Sequence, residues 1–289
     1  MLKRIVLLML VGVMVFGCSS EKSETTPVEK TQNAPKPDSD VAISYTMLVS
    51  GIPMMGEMTF NQRYLTDGEI GRVEMESIIP VGDQVRTSEF ATIVDLDNQM
   101  VHYVNDAAKT FASVPFPDSA SIPPVTSPEI TIKAEWTGQV DSMVGIQCEE
   151  RDVAFTVSYK VRDQDVTTSM SGKLWVSKDF PGYNTFLAFQ AKSLEKLTDS
   201  RMQSGGFLDF LTRFNLSREN LDSLYAALGG FPFGGDLEFK INEGLPQSFD
   251  LKTKLEVTDV STDNLDTEIF AVPEDYTPVD LSQVMAPPK

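Results

Sequence analysis

Histidine occurs once in this sequence, as His102, and cysteine twice, as Cys18 and Cys148. That scarcity excludes a zinc site built from the usual His and Cys ligands. If Cys18 is committed elsewhere, Cys148 has no partner for an intramolecular disulfide. Positive charge is also short, with 24 lysines and arginines against 42 aspartates and glutamates and a formal net charge of -18. Phosphate backbones are bound through Lys and Arg, so this balance excludes nucleic-acid binding. The G-x-S-x-G elbow, the P-loop, the G-x-G-x-x-G turn and the EF-hand loop are all missing, and with them the chemistries those backbones support. After the first 16 residues, no apolar run is long enough to span a bilayer.

The N-terminus is where the sequence is most informative. Lys3 and Arg4 precede an apolar run from Ile5 to Phe16, shorter than the roughly 20 residues that cross hydrocarbon. A basic start, a short apolar stretch and a small residue before an abrupt polar turn describe a secretory signal. The run ends Val15-Phe16-Gly17-Cys18, which resembles a lipobox. The resemblance implies cleavage after residue 17 and lipidation of Cys18, with two or three acyl chains as the membrane anchor. One chain binds only marginally, and several make attachment effectively permanent. Ser19 follows the cysteine, which in the lipoprotein pattern implies sorting to the outer membrane of a Gram-negative envelope. Residues 19–40 carry one sizeable aliphatic, Val28, and no aromatic. Such a stretch buries too little apolar area to order itself, so residues 18–40 are expected to form a lipidated tether.

From residue 41 the pattern has period two. Val41, Ile43, Tyr45, Met47 and Val49 lie on one face, and Met58, Phe60 and Tyr64 repeat the arrangement. Asp67-Gly68 is a hairpin signal, followed by Val73 and Met75 between charged residues. Further strands are expected at 85–95, 100–105, 129–137, 152–161, 165–177, 235–242 and 248–259. Strict alternation gives one apolar and one wet face, which favours antiparallel pairing. Between about 182 and 229 the spacing shifts to threes and fours: Tyr183, Phe186, Leu187, Leu194 and Leu197, then Phe207, Phe210 and Phe214, then Leu221, Leu224, Tyr225 and Leu228. These are helical stripes, and the paired glycines 205–206, 229–230 and 234–235 bracket them.

The expected fold is therefore mainly β (α+β): a curved antiparallel sheet of about ten strands with a late helical insertion on its apolar face, or, as the resemblance named next implies, an incomplete β-barrel with that insertion covering its open side. One domain at 41–281 and a tail at 282–289 complete the chain. That order resembles the lipoprotein-carrier fold of LolA and LolB, a half-barrel around an apolar cavity. A second resemblance, to an uncharacterised family of secreted bacterial proteins, rests on Gly68–Arg72, Ile93-Val94-Asp95, Trp136 with Ile146-Gln147-Cys148, and Gly172–Ser177. It closes on Gly244-Leu245-Pro246 and Phe270–Tyr276. It implies a layout and no activity.

The chemistry-bearing residues point away from catalysis. His102 stands alone in a strand, and Cys148 is followed by Glu149 and Glu150, neighbours that disfavour a thiolate. Carboxylates such as Asp95, Asp97 and Asp165 read as a solvated surface, and Asp163-Gln164-Asp165 lacks the ligand spacing of a calcium loop. No cofactor or metal is expected. Two features stand out. Ile52, Met54 and Met55 make a hairpin tip apolar; the tip is either an adaptable contact surface or tucked into the barrel mouth. Phe207, Phe210, Phe214, Phe231 and Phe233 mark either a glycine-hinged lid over a cavity or a fixed cap on the core. The sequence thus suggests a membrane-anchored, non-catalytic envelope protein binding an apolar ligand or lipid-bearing partner, or else a platform docking another envelope protein.

Overall fold

The computed structural model describes residues 39–52, 55–116, 129–161, 164–196, 223–224, 226–243 and 248–284. Its strands are β1 (Val41–Ser50), β2 (Met58–Thr66), β3 (Ile70–Val81), β4 (Gln84–Asp95), β5 (Met100–Asn105) and β6 (Thr110–Pro115). They continue as β7 (Glu129–Met143), β8 (Ile146–Val161), β9 (Gln164–Ser177), β10 (Phe231–Glu243), β11 (Phe249–Ser261) and β12 (Thr277–Pro278). Helix α1 runs from Tyr183 to Lys196, and the short α2 from Leu281 to Val284.

All strands join one 12-stranded curved, unclosed sheet, in the order β12-β6-β5-β4-β3-β2-β1-β11-β10-β9-β8-β7. Every neighbouring pair is antiparallel except β12 with β6. The antiparallel pairing expected from the alternation is present, and the curved, unclosed sheet with its helix matches the incomplete barrel that the resemblance implied. Meanders form where turns permit: Asp67 Oδ1 accepts from the Glu69 and Ile70 amides, and Gly68 takes φ +96°. β1 pairs with β11 as well as β2, so the chain's late return joins the two meanders.

The inner face carries α1. Val41, Ile43, Tyr45, Tyr64, Phe155, Val157, Leu237, Phe239, Leu251 and Leu255 are buried there with Phe186 and Phe189 of the helix. Phe189 seats so closely on β3 that a Cβ at Gly71 would fall 2.3 Å from its Cζ. The outer face is not uniformly wet. Ala42, Leu65, Ala91, Ile93 and Val104 lie on it and are buried beneath Leu265, Ile269, Phe270, Val272 and Tyr276. The chain after β11 thus straps the outer face before β12 pairs with β6. Arg72 pins the strap: Nη1 donates to the Ile269 carbonyl at 2.9 Å, and Nε to Glu74 Oε1 at 2.9 Å. The Tyr276 hydroxyl donates to Asp106 Oδ1 at 2.7 Å, and Asn105 Nδ2 to the Val284 carbonyl at 3.1 Å.

Several boundaries differ from the sequence reading. β6 and β12 are additional strands, and β7 and β8 are longer than their alternation suggests. β10 begins at Phe231, where a strand was expected only from 235, so Phe231, Phe233 and the 234–235 glycines belong to the sheet. Those glycines are therefore no hinge. A Cβ at Gly235 would sit 2.2 Å from the Lys173 carbonyl oxygen, which makes the site a close strand approach. α2 places residues 281–284 on β5 and β6, inside the fold where a tail from 282 was expected.

Candidate functional site

α1 covers one part of the inner face. Its Phe186 and Phe189 meet the Tyr64 ring edge-on at centroid distances of 5.6 and 6.1 Å. Phe231 meets Phe186 at 5.0 Å and Phe233 meets Phe180 at 5.1 Å, both as T-shaped pairs. Edge-to-face geometry sets the positive rim of one ring on the negative face of another. This interlock holds the helix against β2, β3 and β10 at once. Lys196 at its C-terminal end donates to the Leu96 carbonyl at 2.9 Å, and Lys192 pairs with Glu69.

Leu224 and Leu228 are buried in the same core; elsewhere on this face, among the described residues, the cover is only partial. Met47 stands opposite Phe60, and Ile241 opposite Phe249. These four, with Ile79, are partly buried residues packed on the main core. Ile52 and Met55 sit at the end of this surface, also half-buried against the core, with the Met55 amide donating to the Ile52 carbonyl at 3.1 Å. Half-exposed Met, Ile and Phe side chains on a concave sheet are suited to an apolar ligand.

Of the site residues drawn from the sequence, Ile52 and Met55 lie at this half-covered surface, while Phe231 and Phe233 are buried at 5% and 0% exposure. Cys18, Met54, Phe207, Phe210 and Phe214 lie outside the described residues. The sequence reading missed the interlock of Tyr64, Phe180 and Phe189. Its signal was the i, i+3 pair Phe186 and Phe189 facing an alternating strand.

The outer face bears two shallow open depressions. One, of about 490 Å³, is lined by Thr46, Asn61, Arg63, Glu76 and Glu89 among others. Asn61 ties the row together, accepting from Thr46 Oγ1 at 3.0 Å and donating to Glu76 at 2.7 Å. The other, of about 440 Å³, lies along β7–β9 among Lys133, Glu135, Asp152 and Lys173.

Three titratable groups have defined surroundings. His102 Nδ1 is 2.8 Å from Ser113 Oγ across the β5–β6 ladder. Burial lowers its pKa, partly offset by Asp95. Cys148 is buried, and burial pushes its thiol up to about 11. Buried Glu150 accepts from Lys173 Nζ and Thr137 Oγ1, each at 2.8 Å, and the lysine above all keeps its pKa below the usual carboxylate range. Among the described residues, no group of three or more His, Cys, Asp or Glu side chains is placed to hold a metal ion.

Residues 50–222 match the model of a domain of unknown function, DUF4412. The chain belongs to the DUF4412 family. An uncharacterised family is what the ordered motifs implied. The match leaves out all of β1 but Ser50, and β10 and β11 entirely, yet these strands pair with one another and with β2 and β9 in one sheet. In this DUF4412 protein the folded unit therefore runs beyond the matched segment on both sides. The sequence matches no curated protein.

Proposed function

We propose that this DUF4412 protein is a lipid-anchored, non-catalytic lipoprotein of the bacterial envelope. In this reading it takes an apolar ligand, or the lipid-bearing end of a partner, on the inner face of its half-barrel. The observation that carries the reading is the partial cover of that face among the described residues: α1 seals one part, and Met47, Phe60, Ile79, Ile241 and Phe249 are only partly buried beside it. Apolar area left at a concave surface is favourably removed from water by an apolar occupant. The anchor is Cys18, and residues 19–40 hold the domain clear of the outer membrane. The analogy with the LolA and LolB half-barrels supports the same assignment, with the anchored, receptor-like member as the nearer precedent.

A second reading has its own support. Near α1 the interior is filled, with Phe189 packed hard on Gly71, and the two depressions open on the polar outer face. Those features suit a platform that docks another envelope protein.

Native mass spectrometry of the purified protein, followed by organic extraction, separates the two. A recovered lipid or other apolar compound, lost on Phe60→Asp, is the expected result. A clean apo mass with no uptake of added fatty acids or phospholipids refutes ligand binding and leaves the platform.

A further inference from the structure

The two ends of the sheet are treated differently. At one end β6 is covered by β12 and α2. At the other, β7 has 15 residues and pairs only with β8 among the described residues. A long bare edge is a template for another strand, and proteins normally shorten, bulge or cover it. β7 does bulge between Trp136 and Val140, where Gly138 takes φ +89°. Before the bulge, Glu129 to Trp136 run in unbroken register with β8, leaving a regular edge.

We propose that this edge pairs with its own counterpart in a second copy of the chain, antiparallel, about a two-fold axis at Ala134. The charge pattern selects both occupant and register. Lys133 and Glu135 are exposed on the outer face, and neither has an ion-pair partner among the described residues. Glu135 instead stands directly opposite Asp152 on β8, a like-charge arrangement that destabilises a sheet. The nearby lysine on β9, Lys173, is engaged with Glu150 at 2.8 Å. Rotation about Ala134 sets Lys133 opposite the second copy's Glu135, and Glu135 opposite its Lys133. Both unpaired charges are then satisfied, and the crowding of Glu135 on Asp152 is relieved. On the other face the same rotation sets Trp136, 57% exposed, against the second copy's Ile132. Shifting the axis to Lys133 or Glu135 brings like charges face to face, and shifting it to Ile132 removes both Lys–Glu contacts. Closed two-fold pairing also consumes the edge and ends further growth.

The test is a cross-link in the full-length, membrane-bound protein. Directly opposed residues have Cβ atoms about 4.5–5.5 Å apart, close to the spacing a disulfide needs. Ala134→Cys should yield a disulfide dimer under mild oxidation; wild type, whose Cys148 is buried, and Val140→Cys beyond the bulge should not. Lys133→Glu or Glu135→Lys in the Ala134→Cys background should cut the yield about tenfold, from two lost cross-strand pairs and two new repulsions. Combining both substitutions should restore it, which a loss through misfolding would not allow. No cross-link through residue 134, equal cross-linking through 140, or a double exchange that fails to restore the yield would overturn the proposal.

Discussion

Replacing Gly71 by alanine tests whether α1 is a fixed part of the core. Gly71 lies in β3 with an ordinary backbone, so alanine brings no conformational strain and the effect is one of space alone. The new Cβ would stand 2.3 Å from Phe189 Cζ and 2.8 and 2.9 Å from the Cε atoms, against ordinary contact from 3.4 Å. The ring must therefore retreat by 3.4 less 2.3, about 1.1 Å at its tip. It is 1% exposed and meets Tyr64 edge-on, so the retreat displaces the helix or strains a rotamer. Overpacking of this kind costs about 1–3 kcal/mol. Phe189→Ala leaves a hole instead and costs about 3–5 kcal/mol. In the double variant the methyl enters vacated space and the clash disappears. Its cost should then be no more than that of Phe189→Ala alone, a favourable coupling of about 1–3 kcal/mol. Urea unfolding followed by far-ultraviolet circular dichroism, with the denaturant slope unchanged between variants, measures the cycle. Phe189→Leu offers a milder arm should the alanine unfold the protein. Additivity within about 0.5 kcal/mol would refute the packing argument.

Three further outcomes are expected. Arg72→Ala removes the 2.9 Å bonds to Ile269 and Glu74 from a residue 8% exposed; it should cost about 1.5–3 kcal/mol and open the chain after residue 262 to limited proteolysis, with unchanged protection refuting the strap. Cys148, raised from 9.0 to about 11 by burial, should be inert to a thiol reagent at pH 8 until the protein is unfolded. Because the native state holds that proton more tightly, its contribution to stability is complete below pH 9 and lost as pH rises through about 11, a fall that Cys148→Ala should reduce in pH-dependent melting. Cys18→Ser should abolish labelling by radioactive palmitate and release the protein from the membrane fraction; retained label would refute the anchor.

The sequence by itself determined the strands whose alternation is strict and the helix whose spacing is three and four. β1, β2, β5 and α1 fall where Val41–Val49, Met58–Tyr64, Met100–Asn105 and the stripe from Tyr183 to Leu197 indicate, because a pleat and a helical turn each impose a local period that side chains must obey. The order of short motifs also pointed to an uncharacterised family, with which the DUF4412 match is consistent, and the sequence marked Ile52 and Met55 as apolar where a turn should be polar. Tertiary structure decided what has no local period. β12 is two residues and includes a proline, so only its docking on β6 makes it a strand. Phe231 and Phe233 follow the helical segment and precede the strand expected from 235, yet the register with β9 takes them into the sheet. Leu65, Ile93 and Val104 sit on what alternation alone leaves as the wet face, and are dry because a distant strap crosses them. The partly covered inner surface and the β7 edge that no other described strand pairs are of the same kind. Each depends on which segments end up beside it, and that is settled by packing among residues far apart in the chain.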